Sequence, residues 1–208
     1  GSLSIADDLA YLYWKEMRVD PANPAWPDRD RFVLSKGHCV PALYAALALK
    51  GYFPWDEIKS LRHTGALLQG HPDMKHIPGI DMSTGSLGQG ISAACGMALA
   101  GKLDQKDYRV YSILGDGEIE EGQVWEAAMF AAHYKLDNLC VIVDNNGLQI
   151  DGPVADVMSP YPIGDKFAAF GWHVITVDGH DFDQLEAAFH EAKTIQGKPV
   201  VLVQKSVK

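Results

Sequence analysis

A carboxylate between two glycines, Gly115-Asp116-Gly117, closes the short apolar run 109–114 and stands at the start of a helical pattern. Glycines at such a junction allow tight backbone geometry and close approach of a ligand, and a helix N-terminus favours an anion. Asp116 by itself would repel a phosphate placed there. A hard divalent cation bridging the two resolves the conflict, and Mg2+ suits carboxylate, amide and carbonyl oxygens. A second apolar run, 139–143, ends in Asp144-Asn145-Asn146-Gly147, about 30 residues beyond Asp116. Parallel neighbouring strands would put Asn145 and Asn146 beside Asp116. The chemistry implied is a metal-bridged diphosphate held by Asp116, one asparagine side chain and a nearby backbone carbonyl. Either motif alone is more often a plain turn. Their recurrence at successive strand ends is what argues for a site.

The elements that must position these groups follow from the apolar pattern. Runs at 109–114, 139–143, 172–177 and 199–204 alternate with helical patterns near 120–135, 163–170 and 181–195. Buried β-branched runs alternating with helices predict an α/β fold with a parallel sheet covered by helices on both faces. Ligands bind beyond the carboxyl ends of such strands. Upstream, helices are expected over 5–17, 41–50 and about 87–103, with a proline-rich extended loop at 21–27. A single domain over residues 1–208 accounts for this pattern, with no internal repeat.

Composition narrows the partners. The formal net charge is −9 and no run of Lys and Arg interrupts it. Nucleic acid and anionic membrane surfaces are therefore not expected partners. No stretch approaches the roughly 20 apolar residues of a membrane span, and no secretory pattern opens the chain. Three widely spaced cysteines, Cys39, Cys95 and Cys140, read as core residues of a reducing compartment. Cytoplasm is the expected location.

A family resemblance then becomes specific. Gly115-Asp116-Gly117, Glu121, Trp125-Glu126-Ala127 and Asn145-Asn146 resemble the thiamine-diphosphate signature. Phe32-Val-Leu-Ser-Lys-Gly-His38, Gln69-Gly-His-Pro-Asp73, Ser83-Thr-Gly-Ser-Leu-Gly-Gln-Gly90 and Leu148-Gln-Ile-Asp-Gly152 are similar to transketolases, in particular to the separately encoded N-terminal subunit of split ones. The similarity runs essentially from end to end. It implies thiamine diphosphate and Mg2+ (Ca2+ substituting) as cofactors, with Asp116, Asn146 and the Leu148 carbonyl on the metal. Gly115 and Gly117 are then diphosphate contacts, and Gly85 and Leu87 belong to the loop that approaches the cofactor. His38 and His71 correspond to family histidines near the diphosphate, the thiazolium and the sugar. Glu121 and Glu126 connect to the subunit interface and to the activating glutamate. His38, His71 and Glu121 are the catalytic candidates on this reading, and His180, in Asp178-Gly-His-Asp181, remains one only by its place after a strand.

The activity implied is transfer of a two-carbon ketol unit from a ketose phosphate to an aldose phosphate. The pocket for the aminopyrimidine ring comes from the following domain in this family, so a separate C-terminal subunit is expected, in an α2β2 assembly. Compared with the family, the chain reads as trimmed at both ends. Competing readings are half of another thiamine enzyme, such as a 2-oxo acid dehydrogenase α subunit or part of a deoxyxylulose-phosphate synthase, and a non-catalytic subunit that binds metal and diphosphate.

Overall fold

The computed structural model describes residues 1–208. Its sheet has five parallel strands, β1 (Arg31–Leu34), β2 (Val110–Gly115), β3 (Leu139–Asn145), β6 (His173–Asp178) and β7 (Val200–Lys205), in the order β1-β2-β3-β7-β6. A separate two-stranded hairpin pairs β4 (Leu148–Gln149) with β5 (Gly152–Pro153). The chain steps from β1 to β2 to β3, crosses to the far edge for β6, and returns to insert β7 beside β3. The helices are α1 (Ala6–Tyr11), α2 (Val40–Lys50), α3 (Gly90–Leu103), α4 (Gly122–His133), α5 (Val154–Val157), α6 (Ile163–Ala169) and α7 (Phe182–Thr194).

Successive strand residues point to opposite faces, and both faces are covered. Phe32, Leu34, Tyr111, Ile113, Cys140, Ile142, Val200 and Leu202 pack against α1, α2 and α7. Val33, Leu114, Val141, Val143 and Val201 pack against α3, α4 and α6. This is why the strands read as unbroken apolar runs rather than alternating ones. All three cysteines are free and buried in these two layers.

Three expectations are corrected. The sheet has a fifth strand, β1, which four residues between a proline-rich loop and a turn did not announce. The helix expected over 5–17 is broken into a 3-10 turn at Leu3–Ile5, α1, and a wider π-helical turn at Leu12–Glu16. The third helix starts at Gly90 rather than 87, leaving Gly85 to Gln89 as a loop. A Cβ on Gly90 would lie 2.5 Å from the Ser35 Oγ and 2.7 Å from its Cα. Glycine is thus what lets α3 begin against the end of β1.

Candidate functional site

The carboxyl ends of β1, β2 and β3 open into one cleft of about 350 Å3. Parallel register sets Gly115 opposite Asp144, so the two polar strand ends are adjacent. Lys36, His38, His71, Gly85, Leu87, Gly115, Asp116, Gly117, Asn146 and Leu148 all line the cleft. Every metal and diphosphate residue expected from the sequence is therefore brought together. Glu121 and Glu126 are not among these lining residues: both are exposed, Glu121 at the N-cap position of α4 and Glu126 on that helix beside a separate depression formed with α3.

Asp116 is only 2% exposed. Its Oδ1 accepts from the Gly117 N–H at 2.9 Å, and its Oδ2 accepts from the Gly147 N–H at 2.5 Å. Burial raises its pKa above the ordinary carboxylate value, against the pull of those two amides. No cationic side chain forms an ion pair with it, and Lys36, on the same cleft, is bound to Asp144. A buried carboxylate without a cation on a cleft floor fits a bound divalent ion, which would reverse the cost of its charge. There is no cluster of three His, Cys, Asp or Glu to form an all-protein cage. An ion here would need the Asp116 carboxylate, amide and carbonyl oxygens, and oxygens from a ligand.

The asparagines separate clearly. Asn146 lines the cleft, with Oδ1 accepting from the Leu148 N–H at 3.1 Å and Nδ2 donating to Asp144 Oδ2 at 2.9 Å. Asn145 instead accepts from the Tyr161 hydroxyl at 2.9 Å and lies off the cleft. The Leu148 carbonyl faces the same space, where Lys208 Nζ reaches it at 3.3 Å.

Three buried charged residues hold the cleft together, and none was picked out by sequence reasoning. Glu118, 3% exposed, accepts from the Ser35 hydroxyl, from the Gly88 N–H at 2.9 Å and from the Gly115 N–H at 3.0 Å. One carboxylate thereby ties the end of β1, the loop before α3 and the end of β2. Burial raises its pKa, and those donors oppose the rise. Lys36 and Asp144 form an ion pair at 2% and 0% side-chain exposure. Asp144 also accepts from Ser4 Oγ at 2.6 Å and from the Ser206 hydroxyl. Burial opposes its charge, but the Lys36 ammonium and these hydroxyls together hold its pKa below the ordinary carboxylate value. An acid ending a strand buried on both faces was the available signal for Asp144. Glu118 offered none beyond the ordinary preference of acids for a helix start.

The histidines differ in setting. His38, beside Lys36, has its pKa lowered by desolvation on the cleft wall and by the nearby cations Lys36 and Lys208. It is therefore neutral near pH 7 and free to accept or donate a proton. His71 is held against the Gly85 backbone, where a Cβ would come within 2.8 Å of its ring, and Gly85 adopts φ +147°. His180 does not reach the cleft. Its Nδ1 pairs with Asp7 Oδ2 at 2.8 Å and its Nε2 accepts from the Val207 N–H at 3.0 Å, so it links α1 to the chain leaving β7.

Comparison with known proteins identifies the family. Residues 1–208 match the family described as transketolase, thiamine diphosphate binding domain. The chain is 53% identical over its whole length to the 6-deoxy-6-sulfo-D-fructose transketolase subunit SqwG of Clostridium sp. (strain MSTE9), covering 76% of that protein. It is 43% identical over its whole length to one of the subunits of the apulose-4-phosphate transketolase of Phocaeicola vulgatus, covering 74% of it. A transketolase of Pichia stipitis solved in complex with sedoheptulose 7-phosphate superposes with a TM-score of 0.92 at 34% identity, over 98% of this chain and 32% of that one.

Proposed function

This chain belongs to the transketolase family, as an N-terminal subunit of the thiamine diphosphate-binding kind, and from that premise we propose that its cleft holds the diphosphate end of the cofactor through a divalent ion and serves ketol transfer between sugar phosphates. The observation that carries the proposal is the meeting of an unpaired buried Asp116 with the Asn146 amide and the Leu148 carbonyl, at the ends of adjacent parallel strands. Mg2+ is the ion that suits such oxygens and keeps room for ligand oxygens, with Ca2+ able to substitute.

The cofactor, when bound, supplies the electron sink for cleaving and forming the carbon–carbon bond. The chain's own groups bind and orient. The Gly115 to Gly117 backbone presents the turn against which a diphosphate lies. Asp116 and Asn146 offer oxygens to the metal. His38, neutral near pH 7, and His71 both line the cleft, where each is able to hydrogen-bond a sugar hydroxyl or carry its proton. Glu118, on the same cleft, keeps the three loops in register.

The same reading makes this chain one part of an assembly. Leu148, Leu87 and Ile150 rim a polar cleft while 43%, 38% and 99% exposed. Apolar side chains left open at a ligand site fit coverage by a second protein surface, here a C-terminal subunit carrying the aminopyrimidine pocket. Exposed Met129 and Phe130 on α4, one turn on from Glu126, and Tyr134 at its C-terminal end supply a second apolar face for an α2β2 arrangement. On this view Glu121 and Glu126 act at interfaces rather than in the cleft.

Calorimetry tests the proposal. Thiamine diphosphate is expected to bind only with Mg2+ or Ca2+, more tightly with the partner subunit, and to lose that binding in Asp116→Ala. Tight binding independent of metal would sink the assignment. Ketol transfer should require mixing with the C-terminal subunit, and activity of the isolated chain would refute the half-site reading.

A further inference from the structure

An asparagine can serve a cation through one end of its amide only. Oδ1 carries lone pairs, whereas Nδ2 carries two hydrogens and repels positive charge. The two ends have nearly the same shape, so a neighbour must decide which one faces the cleft. At Asn146 that neighbour is Asp144, an acceptor-only group when ionised, and Asn146 Nδ2 donates to its Oδ2 at 2.9 Å. The opposite end of the amide agrees, since Oδ1 accepts from the Leu148 N–H at 3.1 Å and keeps a second lone pair.

The other neighbours of the Asp144 carboxylate are the Lys36 ammonium, which can only donate, and the Ser4 and Ser206 hydroxyls, which are able to donate to it. A fully buried group so surrounded has no freedom to present a proton to Asn146. The Lys36 charge cancels that of Asp144, so the pair adds no net charge beside the diphosphate site. The amide is thus set from within the turn, by Asp144 on one side and the Leu148 N–H on the other, while the long-range contacts from Lys36, Ser4 and Ser206 hold Asp144 in place as an acceptor.

We propose that Asp144, neutralised by Lys36, is a positioning residue that turns Asn146 Oδ1 toward the metal without touching metal or cofactor. The inference rests on the reading of Asp116, Asn146 and Leu148 as metal donors. Partners that orient a metal ligand in this way are worth about 10–100-fold in metal affinity.

The test uses the chain assembled with its C-terminal partner, saturating thiamine diphosphate, and Mn2+ as the probe, with free ion read from its paramagnetic resonance signal. Asp144→Asn removes the discrimination that Asp144 supplies, because an asparagine offers a donor as readily as an acceptor, and leaves the Leu148 N–H as the one contact orienting the amide. Mn2+ binding should weaken about 10–100-fold, while circular dichroism confirms the fold. A folded Asp144→Asn variant binding Mn2+ within about twofold of wild type overturns the inference, since the expected loss is far larger. Asn146→Asp, at a half-buried position, guards against misfolding of the first variant. An unconstrained carboxylate would tighten metal binding, but one facing ionised Asp144 loses the amide hydrogen that orients it, so binding should weaken at least about tenfold. Unchanged or tighter binding in Asn146→Asp overturns the inference regardless of how Asp144→Asn folds. Absence of cofactor-dependent Mn2+ binding in the wild type would instead overturn the metal-site reading on which it stands.

Discussion

Replacing Asp8 by asparagine should stabilise the protein at alkaline pH, although the residue is fully buried. Asp8 lies on α1 against β7, where its Oδ2 accepts from Gln204 Nε2 at 2.9 Å. Its Oδ1 and the Gln204 Oε1 have no partner. Burial pushes its carboxyl from the ordinary 3.8 up to about 7, with the Gln204 hydrogen bond opposing and nearby Asp144 adding to the rise. The folded chain therefore holds a proton that the unfolded chain has released between those two values. Stability must fall as pH rises from about 4 to about 7, and the whole cost is carried above that window. At 1.36 kcal/mol per pH unit, the rise corresponds to about 4 kcal/mol at most.

Asparagine at this position is neutral at every pH, keeps an acceptor for Gln204 Nε2, and offers Gln204 Oε1 a hydrogen. Urea unfolding followed by circular dichroism at about pH 8 should show Asp8→Asn more stable by up to about 4 kcal/mol, an increase of roughly 8–16 °C in melting temperature. The advantage should shrink steadily toward about pH 4. A difference that does not change with pH, or an Asp8→Asn variant less stable than wild type at alkaline pH, would refute the reasoning.

Other outcomes follow from the cleft. Glu118→Gln sets an amide NH2 against either the Gly115 N–H or the Ser35 and Gly88 donors, and should cost about 2–4 kcal/mol in chemical unfolding; a loss under about 0.5 kcal/mol would show that the carboxylate does not tie the loops. Gly85→Ala meets the His71 ring and an unfavourable φ, so calorimetry should show weaker thiamine diphosphate binding alongside a lowered melting temperature, and unaltered affinity would count against close approach of that loop. His38 should titrate below the ordinary histidine value in nitrogen-detected NMR, and a midpoint at or above 6.5 would contradict its placement beside Lys36.

Much of this was legible from local pattern. The alternation of apolar runs and helical periods gave the parallel sheet with both faces covered, because hydrophobic patterning acts over a few residues and survives in any context. Asp116 and the pair Asn145-Asn146 stood out as candidates for a similar reason, as polar residues with glycine where an apolar strand stops. β1 was not, being only four residues long, and no local rule separated the true start of α3 from the loop before it. The exposed placement of Glu121 and Glu126 was equally out of reach, since both fall on the same short helix pattern as their buried neighbours.

The sequence by itself determined the chemistry available at the strand ends: a carboxylate, an amide, glycine turns and two histidines. Only the tertiary structure decided which of these groups act together and how they face. Asn146 was preferred to Asn145 by resemblance, and the fold separates the two: Asn145 accepts from the Tyr161 hydroxyl, while Asn146 donates to Asp144, a neighbour two residues away that the fold buries against Lys36. Lys36 meets Asp144 across 108 residues, and Ser35 meets Glu118 across 83. Such pairs form because a buried charge must find a partner wherever the fold brings one. That partner is set by strand order and register rather than by distance along the chain.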